Sequence, residues 1–129
     1  MSKVTLPFAT IEYLEPIVYF RITREGLLND KEILEAIDAG VRLCHYKPHL
    51  LLTDARINAD LTPEARKAGA NINNTTHVIA QAILVKWLAQ RLIATVFMQV
   101  NKPHYPVRIF NEEGKAVKWL MEQKGFRML

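Results

Sequence analysis

The chain has 129 residues, a length typical of one domain, and half of them are hydrophobic, which is enough for one core. The charged fraction of 23% excludes a disordered composition. The net charge is only +4, and the basic residues near aromatic ones are scattered, so nucleic-acid binding is not favoured. We therefore expect a single domain over residues 1–129.

The first third of the chain predicts a hairpin followed by a helix. Residues 4–14 and 17–22 are rich in β-branched and aromatic side chains, and a proline separates the two runs. Asn29 or Asp30 can cap a helix, and Glu32 completes a capping box from Asn29. Apolar residues then recur at helical spacing at Ile33, Ile37, Val41 and Cys44.

The rest of the chain alternates between strand and helix patterns. Short apolar runs between polar residues predict strands at residues 49–54, 78–85 and 107–110. Helical spacing and helix-start residues predict helices at residues 63–70, at 87–100 and after Asn111. The order ββαβαβαβα predicts an α/β fold with a single mixed β-sheet and packed helices.

Several strings in the sequence match a known pattern: LLTDAR at 51–56, TPEAR at 62–66, RLI at 91–93, NKP at 101–103, RIF at 108–110 and WL at 119–120. With the element order, they resemble the STAS superfamily, and within it the SpoIIAA-like group of small stand-alone bacterial domains. The resemblance spans nearly the whole chain. It implies a STAS/SpoIIAA-like fold used in protein–protein regulation, sensing or small-ligand binding, and it implies no reaction.

One position departs from that resemblance. Regulatory STAS proteins carry a phosphorylatable serine, preceded by aspartate, at the start of the helix after the third strand. Those two positions fall on about Pro63 and Thr62, and proline has no hydroxyl group to phosphorylate. The side-chain oxygen of Thr62 is expected to cap the helix. A phosphorylation switch is therefore not expected.

The carboxyl ends of the predicted strands suggest a binding site. Ligands of open α/β sheets tend to lie beyond these ends, which places Asp54, Arg56 and Lys86 together. The helix that begins at Thr62 adds free backbone N–H groups that favour an anion. These residues are candidates to hold a carboxylate or phosphate group. The alternative is that Asp54 and Arg56 pair with each other and only brace the loop.

The predicted helix at residues 87–100 is apolar on more than one face. A helix that lies on a sheet needs one apolar stripe, so the excess must contact something else. Trp87, Arg91, Phe97 and Met98 are our candidates for that contact. We expect a homodimer interface, while a protein partner, an apolar ligand or coverage by neighbouring loops and residues 126–129 are the alternatives.

No catalytic or metal-binding pattern is found in the sequence. The only serine is Ser2, and the five glycines are isolated, so neither a nucleophile elbow nor a phosphate loop is present. The four histidines fit no metal signature and are assigned to the surface or to loops. We expect a protein that is not an enzyme and that needs no cofactor and no metal.

The leading functional hypothesis is a regulatory interaction module that binds a protein partner, with a homodimer as its form. The alternative is a carrier or sensor of a small apolar molecule with an acidic head group. An enzyme that uses Asp54 is a third, weaker hypothesis. The single cysteine, the absence of a signal-peptide pattern and the interrupted apolar region at 78–100 predict a cytoplasmic protein with no membrane span.

Overall fold

The computed structural model describes residues 2–71, 73–87, 90–91 and 103–128. Its strands, in chain order, are β1 (Lys3–Thr5), β2 (Ala9–Leu14), β3 (Ile17–Ile22), β4 (Gly26–Leu28), β5 (His49–Asp54), β6 (Ala59–Leu61), β7 (Val78–Leu84) and β8 (Val107–Phe110). Its described helices are α1 (Asp30–Leu43), α2 (Pro63–Ala70) and α3 (Glu113–Met128).

Six of the strands form one mixed sheet in the order β1-β2-β3-β5-β7-β8. The first three are antiparallel neighbours, and β3, β5, β7 and β8 run parallel to one another. Strands β4 and β6 pair in parallel as a separate two-stranded sheet. The predicted α/β fold with a single main sheet is confirmed, although β1, β4 and β6 were not predicted as separate strands.

The two faces of the main sheet are covered by different helices. Successive residues of a strand point to opposite faces, so Leu50 and Leu52 of β5 lie on one face and Leu51 on the other. The first pair packs with Ala116 and Leu120 of α3. Leu51 belongs to the core that includes residues of α1 and α2. The central strands are covered on both sides, which explains why they are mostly apolar.

Helix α1 starts and packs as the sequence indicates. Its N-cap is Asn29, whose side chain accepts a hydrogen bond from the Glu32 backbone, while the Glu32 carboxylate accepts one from the Asn29 backbone. At Gly40 the helix lies close to the sheet, because a Cβ there would be 3.1 Å from Cγ1 of Val18. None of the described helices is long and apolar enough to cross a membrane.

Candidate functional site

A cavity of about 410 Å³ lies between the sheet and helix α1. Its floor includes Leu51 and Thr53 of β5 and Ile83 of β7, and Ile37 and Val41 of α1 line it from the other side. This volume is within the range of roughly 300–1,000 Å³ that small-molecule sites occupy. The cavity is therefore large enough to hold a small ligand.

The cavity follows the parallel strands from one end to the other. His49, the first residue of β5, lines it at the amino end, and Ala55, which follows β5, lines it at the carboxyl end. At about 3.3 Å per residue, these positions are roughly 20 Å apart. An elongated molecule therefore fits this space better than a compact one.

His49 is the most buried polar residue of the cavity wall, with 3% of its surface exposed. Its Nδ1 atom is 3.0 Å from the carbonyl oxygen of Lys47 and 3.3 Å from Sγ of Cys44. A carbonyl oxygen only accepts hydrogen bonds, so Nδ1 carries the hydrogen and donates it to Lys47. Nε2 is then the unprotonated nitrogen of the ring.

The imidazole of His49 is held in its neutral form. Burial lowers the pKa of His49, and the nearby His77 lowers it further, against the opposing effect of the hydrogen bond to Lys47. Burial also raises the pKa of Cys44, so this neighbour is a thiol and not a thiolate. The amino end of the cavity therefore presents a neutral acceptor and no positive charge from His49.

Three polar side chains near the middle of the sheet bond to one another. The amide nitrogen of Gln81 donates to Oγ1 of Thr53 at 2.7 Å, and the hydroxyl of Tyr105 donates to Oε1 of Gln81 at 3.3 Å. Burial raises the pKa of Tyr105 to about 12, so its hydroxyl stays protonated at neutral pH. These hydrogen bonds form a polar strip on a wall that is mostly apolar.

Hydrogen-bonded side chains lie at the carboxyl end of the cavity. Arg66 of α2 donates to both carboxylate oxygens of Asp60 at 3.0 Å. The amide nitrogen of Gln90 donates to the carbonyl oxygens of Ala55 and Ile57, at 2.8 and 2.9 Å. These contacts tie the segment after β5 to the segment after β7. Asp60 and Arg66 are also the charged residues among the described lining, apart from the histidines.

Asp54 and Arg56, two of the predicted site residues, pair with each other. Nε and a terminal nitrogen of Arg56 donate to the Asp54 carboxylate at 3.0 and 2.8 Å, and Arg21 donates to it at 2.9 Å. Arg21 also makes two hydrogen bonds to Glu113 of α3, at 2.8 and 3.1 Å. Neither Asp54 nor Arg56 is among the residues that line the cavity, and Asp54 points to the opposite face of β5 from Thr53.

The other predicted site residues are placed separately. Thr62 caps α2, because its hydroxyl oxygen accepts a hydrogen bond from the Ala65 backbone at 3.1 Å. Trp87 lines the cavity, and the ammonium group of Lys86 lies 5.2 Å from the centre of its ring. The backbone N–H of Arg91 donates to the carbonyl oxygen of Trp87 at 3.1 Å. The predictions for Phe97 and Met98 lie outside the described residues.

The sequence-based interpretation missed His49 and assigned it to the surface or a loop, which is wrong. A usable signal was present, because His49 begins a strand whose alternate residues Leu51 and Thr53 face the same side. Gln81 and Tyr105 were also missed. Gln81 is a polar residue within the apolar run of β7, and such a residue indicates a hydrogen-bond partner inside the fold.

Comparison with known proteins agrees with this architecture. A family model described as Domain of unknown function (DUF7793) matches residues 11–124, and the chain belongs to this family. No curated protein matches the sequence. The chain is similar to a solved structure from Shewanella loihica PV-4, an uncharacterized protein from the DUF3478 family with a SpoIIAA-like fold. The TM-score is 0.60 at 16% identity, over 87% of this chain and 91% of the other. The expected SpoIIAA-like fold is thereby confirmed.

Proposed function

We propose that this DUF7793 domain is a non-catalytic binding module that holds a small, elongated apolar molecule between its sheet and helix α1. The observation that carries this proposal is the cavity of about 410 Å³ with mostly apolar walls. Each Å² of apolar ligand surface removed from water contributes about 25 cal/mol to binding. A carrier or a sensor uses such a site, and this function was the alternative hypothesis from the sequence.

The pairing of Asp54 supports a non-catalytic role. Its carboxylate accepts hydrogen bonds from the side chains of Arg21 and Arg56 and from the Arg56 backbone. Burial alone would raise the pKa of Asp54, but the hydrogen bonds from the two arginines outweigh burial and the pKa is lowered. A general base needs an accessible lone pair and a pKa nearer neutrality, so Asp54 is poorly suited to that role.

The regulatory interaction module and the homodimer stay predictions. Both relied on the apolar residues of the predicted helix at 87–100, and residues 88–89 and 92–100 lie outside the described part of the chain. Binding of a small molecule is compatible with either of them. A sensor domain needs a ligand site and also a surface that responds to it.

Native mass spectrometry of the protein purified from its own host tests the proposal. We expect a native mass above that of whole chains, with the excess lost when the same sample is denatured. A sample stripped of ligand and incubated with phenylnaphthylamine, a neutral apolar dye, should bind about one dye molecule per chain, because the cavity between the sheet and α1 has mostly apolar walls and the volume of a single small-molecule site. A bare mass from the host together with no dye uptake would contradict the proposal.

A further inference from the structure

We infer that the ligand of this cavity is a neutral molecule with a hydrogen-bond donor at one end, such as a long-chain alcohol, and that the donor bonds to Nε2 of His49. The inference rests on the proposed function and names the chemical class of the ligand. It differs from the sequence-based alternative, in which the ligand carried an acidic group. Three observations support it.

The first observation is that Nε2 of His49 has no partner within the described residues. The ring makes hydrogen bonds through Nδ1, which faces Lys47 and Cys44. Among the described residues, every fully buried side-chain nitrogen or oxygen has a hydrogen-bond partner. Since Nε2 has none, it must keep some surface open, and His49 borders the cavity. A ligand that covers Nε2 without donating to it would bury this acceptor without a partner, which costs roughly 1–3 kcal/mol.

The second observation is that the tautomer of His49 makes Nε2 a hydrogen-bond acceptor. With the hydrogen on Nδ1, Nε2 presents a lone pair and can only accept. A hydroxyl or amide N–H of a ligand donates to such an atom, whereas an ether or ester oxygen does not. The imidazole therefore favours apolar ligands that carry a hydrogen-bond donor over apolar ligands that carry none.

The third observation is the charge around the amino end of the cavity. Burial keeps His49 neutral, so Nε2 repels a carboxylate where an imidazolium would attract one. In the described lining, the formal charges apart from the histidines belong to Asp60 and Arg66, which follow the carboxyl end of β5 and bond to each other. A carboxylate beside Nε2 would lose part of its hydration and face the lone pair of this nitrogen, and this is costly.

Decanol and decanoate at neutral pH test the inference, because they share a chain and differ in the head group. We expect decanol to displace bound phenylnaphthylamine at least about tenfold more effectively than decanoate, the difference that one well-made hydrogen bond gives. Equal or stronger displacement by decanoate overturns the inference while the proposed function stands. If the dye itself does not bind, the proposed function fails as well.

Two histidine-to-phenylalanine variants test whether the preference for decanol depends on His49. We expect His49→Phe to lose about tenfold more affinity for decanol than for decane, because decane has no hydrogen to donate to Nε2. His77→Phe is the matched control, since His77 also lines the cavity but is less buried. An equal change in affinity for decanol and decane in His49→Phe, or the same difference between them in His77→Phe, overturns the inference.

A measurement on the unmodified protein covers the case in which His49→Phe does not fold. The nitrogen NMR signal of His49 Nε2 should move toward the hydrogen-bonded position when decanol is added, and it should not do so with decane. The same shift with decane, or no shift with decanol at saturation, overturns the inference. Both ligands fill the same apolar space, so the comparison isolates the donor.

Discussion

Replacing Leu51 with tryptophan is expected to weaken phenylnaphthylamine binding by at least about thirtyfold, which corresponds to roughly 2 kcal/mol. Leu51 lies at the centre of β5 and on the cavity floor, with His49 and Thr53 on either side of it along the same face. The larger indole would occupy the space that a ligand needs. Because that space is open, the substitution should cost less stability than overpacking a filled core, which typically costs about 1–3 kcal/mol.

A matched variant separates loss of the cavity from a general effect of tryptophan. Leu14 is 52% exposed at the end of β2 and does not line the cavity, so Leu14→Trp should bind the dye as the parent protein does. Thermal unfolding of both variants checks that each is folded before dye binding is measured. Dye binding by Leu51→Trp with the parent affinity would place the dye outside the cavity.

The second large effect is a loss of stability. It is expected when the ion pairs of Asp54, which lie on the face of the sheet opposite the cavity, are removed. Asp54→Asn should lower the free energy of unfolding by about 2 kcal/mol, because hydrogen bonds to charged groups contribute about 1.5–3 kcal/mol. Only 13% of the Asp54 side chain is exposed, and both arginines would face an amide in place of a carboxylate. Urea unfolding of the two proteins measures the difference directly.

The same cluster predicts a pH dependence of stability. Hydrogen bonds from Arg21 lower the pKa of Glu113, and the pKa of Asp54 is also lowered by its arginines despite burial. The native state therefore binds fewer protons than the unfolded chain in acid. The stabilisation is complete above the ordinary carboxyl pKa of about 4 and is lost as the pH falls through the lower native values. Asp54→Asn should lose less stability over this acidic window.

An exposed aspartate provides the control for both measurements. Asp38 pairs with Arg42 one helical turn away on α1, and 59% of its side chain is exposed. Asp38→Asn should change the free energy of unfolding by no more than about 0.5 kcal/mol, as exposed pairs usually do. If Asp54→Asn is no more destabilising than Asp38→Asn, the cluster does not stabilise the fold as described.

Much of the fold was predictable because its main elements have strong local patterns. Strand β5 contains three successive leucines, and α1 and α2 each begin with a recognisable cap, at Asn29 and Thr62. The strands β1, β4 and β6 have three residues each, and a segment that short contains too little alternation to be recognised. The pairing of these three strands depends on the elements that pack around them.

The candidate site was less predictable, because it depends on contacts between distant residues. Arg21 and Glu113 are 92 positions apart in the sequence, and no local sequence pattern predicts the hydrogen bonds between them. The strand-end rule grouped Asp54, Arg56 and Lys86 as a ligand site, whereas in the structure Asp54 pairs with Arg56, as the alternative interpretation had it. The cavity is a space that side chains leave unfilled, so its size follows from the packing of α1 on the sheet.

Methyl NMR spectra recorded during addition of decanol test the central claim most directly. Leu51 and Ile83 line the cavity, whereas Leu50 and Leu52 point to the opposite face of the same sheet toward α3. If the cavity holds the apolar molecule, the methyl signals of Leu51 and Ile83 shift and show contacts with decanol, and those of Leu50 and Leu52 change little. Contacts confined to exposed residues such as Leu14, with no change at Leu51 or Ile83, would contradict the claim.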